Sequence, residues 1–414
     1  MAIERRPLRE QIKDVLLERL GRAEFEPDQP INEVHLAAEP VAPAEPVAPA
    51  EADAPAEPAE LAEPTEPTEP TEPTDLAEPA EPESALLAAA RDGDSTAFDR
   101  LMAPYRQELT AHCYRMLGSP FDAEDAVQES LLSAWRGLGT FEGRSSVRTW
   151  LYRITTNACI RLGSQRSRRL VSSDFGPSRK SGDDLGEPVT GPVWLEPWPD
   201  PAESYLRREG VELAFVAALQ HLPATQRAVL ILREVLEFSA ADVAELLDTT
   251  VASVNSALQR ARQTMGAHPG AGSARQRGEL AELGPEGVRA LVDDFVRAWE
   301  SADVAALVDL LTADVRFTMP PLPAWFDGRD DVAAFFAEGI FATPWRLRPI
   351  SVNGQLGFAC YQRHTPDAPF RLGAINLLSL RDGRIAQVSG FLDPELPRRF
   401  GIPELFPENP AANR

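Results

Sequence analysis

Residues 38–83 rule out a single continuous fold before any other residue is read. The stretch is almost wholly Ala, Glu, Pro and Thr in "AEP" and "TEP" repeats, with about fourteen acids and no base. Proline removes helix hydrogen bonds, neighbouring glutamates repel one another, and almost nothing there can be buried. A disordered, acidic spacer is the expectation. The 414 residues are in any case too many for one ordinary domain. The spacer also relocates the formal net charge of −23, since Gly143–Ser173 contains no acid and seven arginines. An acidic chain overall is therefore compatible with a nucleic-acid partner.

Cys113, Cys159 and Cys360 are scattered, with no CxxC pair and no metal-ligand spacing, and the five histidines are dispersed. No structural metal and no cofactor is expected, and a reducing cytoplasm fits best. No apolar run approaches the ~20 residues that span a bilayer. The start, "MAIERRPLREQ", lacks an apolar signal core.

The remaining organisation follows from periodicity. Residues 1–37 read as a short helical segment, with Ile12, Val15, Leu16 and Leu20 at helical spacing. Residues 84–170 are consistently helical and punctuated at Gly118, Ser119 and Pro120. Residues 171–202 form a linker containing an apolar knot, "PVWLEPWPD", whose two tryptophans and leucine are expected to contact the C-terminal domain. Residues 203–266 have the rhythm of helix, helix, tight turn, helix, and 267–284 read as a hinge. From 285 to 414 two helices flank alternating runs such as "DVRFTM", "GFACYQRH" and "RIAQVSGFL", which predicts an α+β domain.

The most informative stretch is "RTWLYRITTNACIR", residues 148–161. Trp150, Leu151, Ile154, Ala158 and Ile160 suit a core, while Arg148, Arg153, Thr155, Thr156, Asn157 and Arg161 crowd the other faces with no acid to balance them. In the preceding helix Asp122, Asp125 and Glu129 share one face at three- and four-residue spacing.

Three blocks in one order, "DAEDAVQESLLSAWR", "TFEGRSSVRTWLYRITTNACIR" and "SAADVAELLDTTVASVNSALQRAR", resemble bacterial RNA polymerase sigma factors of the extracytoplasmic-function group. Residues 84–170 resemble that group's promoter-opening, core-binding domain, and 203–266 its helix-turn-helix domain. Residues 7–37 resemble the opening of a GntR-type winged helix, but the sequence breaks where the recognition helix should begin. Residues 285–414 resemble the cone-shaped ketosteroid-isomerase-like (SnoaL-like) fold.

The resemblance implies core RNA polymerase and promoter DNA, double-stranded and melted, as partners, with no membrane. Asp122, Asp125, Gln128, Glu129, Leu132 and Trp135 would dock on the clamp helices of the polymerase's largest subunit. Arg148, Arg153, Asn157 and Arg161, with the loop residues Phe141, Ser145 and Ser146, would hold an unstacked strand. Arg166, Arg168 and Arg169 would contact phosphates. On a recognition helix over Thr249–Met265, the major-groove contacts would be Ser253, Asn255, Ser256, Gln259, Arg260 and Arg262. Ala257 stands where the commonest family pattern carries a basic residue, so one contact is expected to be missing.

In the C-terminal domain Trp299, Phe317, Met319, Trp325, Phe336 and His364 are candidates for a pocket that takes a small molecule. Related isomerases carry an acid just before a proline on the first strand, where "FTMPP" has Met319. No catalytic residue is therefore expected. The expectation is a sigma factor, not an enzyme, whose activity the fused C-terminal domain regulates. The alternatives are an isomerase- or cyclase-like enzyme with a DNA-binding tether, and a stand-alone helix-turn-helix repressor.

Overall fold

Short polar residues set the starts of several helices, and Gly118 ends one of them. The computed structural model describes residues 82–199, 212–267 and 275–407. The expectations for the short helical segment, the acidic spacer and residues 200–211 lie outside them. Helix α1 spans Glu83–Arg91 and α2 spans Ser95–Leu117. Asp94 caps α2 by accepting from the amides of Thr96 and Ala97 at 2.8 and 3.1 Å. Gly118, at φ +70°, ends it in the left-handed conformation that favours glycine. Helix α3, Pro120–Gly137, starts with Ser119 as cap and Pro120 in the first turn. Helix α4, Val147–Gln165, is capped by Ser146, which accepts from the Thr149 amide at 3.1 Å.

The second helical unit comprises α5 (Leu213–Gln220), α6 (Ala224–Leu230), α7 (Ala240–Leu246) and α8 (Val251–Gly266). Ser239 and Asp242 form a reciprocal capping box on α7, and Thr250 caps α8. Both helical units contribute to one apolar core. At their junction the buried Arg227 donates to the carbonyls of Leu219, Gln220, Leu222 and Met116 and to Oε1 of Gln220.

The C-terminal domain begins earlier than its sequence suggests. Helix α9 runs over Arg275–Glu300 with one break at Gly284 (φ +67°), so the second half of the expected hinge is helical. Gln276 pins it, exchanging bonds with Leu380 through its side chain at 2.7 and 2.8 Å. After α10 (Val304–Leu310) come β1 (Leu311–Thr318), β2 (Trp325–Asp327), α11 (Arg329–Glu338), β3 (Trp345–Val352), β4 (Gln355–Gln362), β5 (Arg371–Arg381), β6 (Arg384–Phe391) and α12 (Leu396–Phe400). The six strands form one sheet in the order β2-β1-β6-β5-β4-β3, parallel only between β1 and β6. Its two-residue turn Asn353-Gly354 has φ +55° and +67°, as a primed hairpin turn requires.

Strand residues Val352, Ile375, Leu377 and Phe391 belong to the core of the helical units, not to that of their own domain. In the other direction Leu185, from the linker, is 1% exposed within the core of the α+β domain. Burying a leucine so completely is worth roughly 1.5–3 kcal/mol. The linker is thus part of the fold.

Candidate nucleic-acid and polymerase interface

Helix α4 answers the question its composition poses with one correction. Leu151 and Ala158 are buried and Trp150, Ile154 and Ile160 half-buried, but Thr155 and Thr156 are buried as well. Thr156 bonds His112 Nε2 at 2.9 Å. The exposed face reduces to Arg153, Asn157 and Arg161, with Arg148 half-buried at its edge. Arg148 holds Glu108 through Nε and Nη2 at 3.0–3.2 Å, and its guanidinium lies 4.9 Å from the Tyr152 ring and 5.3 Å from that of Phe238. Arg161 is paired with Glu129 of α3. Ser145 and Ser146 stay at the surface, but Phe141 does not, since it packs 4.8 Å from Trp150 at 8% exposure. The expectation that Phe141 meets a base is corrected: its ring closes the core beneath the loop.

One member of the basic run after α4 is corrected too. Arg169 is 5% exposed and reaches Asp122, Glu196 and the Trp194 carbonyl. Arg166 also pairs with Asp122, and Arg168 with Asp174 and His221. Two of the three arginines thus hold Asp122, which at 6% exposure leaves the polymerase-docking surface. A carboxylate between two guanidiniums explains the inward turn. The rest of that surface is open: Asp125, Gln128 and Glu129 are exposed around Leu132, itself 56% exposed. Trp135 is half-buried edge-on to Phe98 at 5.0 Å.

On α8 the chain places Ser253, Asn255, Ser256, Gln259, Arg260 and Arg262 at the surface, with Arg262 paired to Glu234. Val254, Ala257, Leu258 and Ala261 form the buried stripe. Ala257 is 6% exposed, so this alanine lies on the packed side of the helix. It is a packing residue, not a missing contact.

Within the C-terminal domain a cavity of ≈ 30 Å³ is lined by Trp299, Phe317 and Met319, together with Leu322, Trp345 and Asn376 among others. Trp325, Phe336 and His364 are not on its wall. Trp325 donates its indole N–H to the Gly176 carbonyl at 2.9 Å, and Phe336 packs against Trp299 and Phe317 in the core. His364 sits half-buried just past β4.

The apolar knot meets the C-terminal domain at Trp198 as its sequence suggests, but sequence reasoning missed the partners Asn353, Gln355 and Arg399. Asn353 accepts from the Trp198 amide at 2.8 Å, donates through Nδ2 to Tyr114 Oη at 2.8 Å, and gives its own amide to the Trp198 carbonyl at 3.0 Å. Its one visible signal, the Asn-Gly pair, announces the turn and conceals this second role. Gln355 accepts from the Leu213 amide at 2.8 Å. Arg399 of α12 meets Glu196 and lies 3.9 Å from the Phe121 ring at the start of α3.

Comparison with known proteins identifies the three units. Sigma-70 region 2 matches residues 101–169, Sigma-70 region 4 matches 212–265, and a SnoaL-like domain matches 292–388. The ECF RNA polymerase sigma factor SigG of Mycobacterium tuberculosis is 41% identical over 331 residues, 77% of this chain and 86% of the relative. The RNA polymerase sigma-H factor of Pseudomonas aeruginosa is 32% identical over 185 residues, covering 45% of this chain and 92% of the relative. The crystal structure of the M. tuberculosis extracytoplasmic function sigma factor SigJ aligns with TM-score 0.49 and 21% identity, over 72% of this chain and 97% of that one.

Two helical sigma regions followed by an α+β domain define a promoter-recognition subunit. The chain belongs to the ECF RNA polymerase sigma factors: it binds core RNA polymerase and directs promoter-specific transcription initiation. Neither the tethered enzyme nor the stand-alone repressor is favoured beside this membership.

Proposed function

We propose that the C-terminal domain regulates this sigma factor by holding its two DNA readers against one another until core polymerase separates them. What carries the reading is the Asn353 node, where one side chain binds helix α2 through Tyr114 and the inter-reader linker through Trp198. Supporting it, the two helical units already touch through Arg227 and through Phe238, whose ring lies 5.3 Å from Tyr152 of α4. In the opened state α3 docks on the clamp helices through Asp125, Gln128, Glu129 and Leu132. Arg153, Asn157 and Arg161, joined by Arg148, Ser145 and Ser146, hold the melted strand. Helix α8 enters the major groove of the upstream element with Asn255 and Gln259 reading base edges.

Arg166 and Arg168 lie at the surface and reach phosphates once their carboxylate partners are exchanged. The protein works in the cytoplasm and carries out no chemistry of its own. In support, the cavity wall holds no carboxylate or imidazole to move a proton. Among the described residues no helix is long and apolar enough to cross a membrane.

The test is run-off transcription with limiting core polymerase, comparing the full chain, Asn353→Gly, and a form ending at Gly266. More specific transcript from both altered forms is expected. Equal output, or loss of specific transcripts in both, contradicts the holding role.

A further inference from the structure

Large apolar side chains on a protein's surface are ordinary when scattered and informative when aligned. Of the four exposed among the described residues, two stand on α3: Phe121, at 44% exposure, and Leu132. Eleven residues make about three helical turns, so both leave the helix on one face, about 16 Å apart along its axis. Asp125 and Gln128 lie on that face between them, and both are exposed. The face proposed to dock on core polymerase through Asp125, Gln128, Glu129 and Leu132 therefore continues one turn further, to an aromatic ring. Buried aromatic anchors carry much of the energy of such interfaces.

That ring is already in use. Arg399, on α12 of the C-terminal domain, places its guanidinium 3.9 Å from the Phe121 centroid. Its charge is shared with Glu196 at 3.5 Å and Asp393 at 3.7 Å. Both distances are long beside the about 2.7–2.9 Å of a closed charge-assisted bond. The buried Nε of Arg399 donates to no described residue. A cation held by long pairs over a partly exposed ring is displaced at small cost, about two- to fivefold in an equilibrium. Its neighbours Phe400 and Ile402 pack against the core that the helical units share, so α12 is anchored independently of the arginine.

We infer that Phe121 is a docking contact for core polymerase, and that Arg399 competes with the polymerase for its ring. The C-terminal domain thereby lowers core affinity directly, apart from holding the two readers together. The inference rests on the docking of α3 proposed above. By linkage, core polymerase seated on Phe121 weakens the hold of Arg399 by the same factor.

The experiment titrates the dye-labelled full chain with core polymerase and reads affinity by fluorescence anisotropy. Phe121→Ala should weaken binding about five- to thirtyfold, as loss of an aromatic anchor does. Arg399→Ala should tighten it about two- to fivefold, while Arg399→Lys, which keeps a cation at the ring, should not. In the Phe121→Ala background Arg399→Ala should change nothing, because no ring is left to compete for. Unchanged affinity in Phe121→Ala beside weakened binding in Leu132→Ala overturns the inference and leaves the docking of α3 standing. Unchanged affinity in both overturns the docking of α3 as well. No tightening in Arg399→Ala, or equal tightening with and without the ring, overturns the competition, since an equal effect runs through the Glu196 pair instead.

Discussion

Replacing Asn353 with glycine isolates the bonds that join the domains from the turn that carries them. Glycine accepts φ +55° without strain, and Gly-Gly still closes the β3–β4 hairpin. What is lost is the carboxamide. The buried Trp198 amide is left without its acceptor, which costs about 1–3 kcal/mol, and Tyr114 Oη loses one donor, about 1 kcal/mol. Together the domain junction should weaken by about 2–4 kcal/mol, an opening equilibrium raised about 30- to 700-fold.

Hydrogen exchange reads this directly at amides the substitution does not touch. The Leu213 amide bonds Gln355 and the Gln276 amide bonds Glu212 Oε1, each across the junction, and both bonds break when the domains part. Exchange at these two should quicken by that factor while Leu372, inside the α+β domain, stays as it was. A change under about threefold at Leu213 and Gln276 would refute the claim that Asn353 holds the domains together.

Three further outcomes follow from the geometry. Burial, and then the charge of Arg115, pulls His112 from 6.5 down to about 3. The folded state therefore binds fewer protons than the unfolded chain between about pH 3 and 6.5. Stability is complete above pH 6.5 and falls as pH drops below it, by up to about 1.4 kcal/mol per unit; urea midpoints from pH 4 to 7 should lose this slope in His112→Gln. Asn157→Ala, at an exposed site, should leave the melting temperature within about 1 °C, since surface changes cost under about 0.5 kcal/mol. It should lower open-complex formation about tenfold, as loss of a base-edge contact does, which permanganate footprinting will show. Ala257→Arg should not strengthen promoter binding in a gel-shift assay, and it should destabilise α8 packing by about 2–4 kcal/mol, because the site is buried.

Much of the fold was legible because its signals are local. Ser146, Thr250 and the Ser239/Asp242 box are helix starts readable from a few residues, and the Asn-Gly and Asp-Gly pairs are turns. The failures are all non-local. Asp122 and Arg169 are 47 residues apart, so helical spacing put the one on an acidic face and the family resemblance put the other on phosphates, while their pairing buries both. Phe141 looked like a loop aromatic because its partner, Trp150, lies on the next helix. The helix over 275–283 was hidden by Gly278 within it and Gly284 after it, and declared only by Gln276 reaching Leu380. The buried role of Ala257 lies in its three- and four-residue spacing with Val254 and Ala261, which the family pattern masks.

One distance tests the central claim most directly. The native cysteines are buried, so dyes can be placed selectively at Gln107→Cys on α2 and Gln263→Cys on α8, both exposed. The account predicts high energy transfer in the free full chain, low transfer once core polymerase is bound, and low or broadly spread transfer in free Asn353→Gly. Identical transfer in the free full chain, free Asn353→Gly and the core complex would contradict it, because the two readers would then have no closed state for the C-terminal domain to hold.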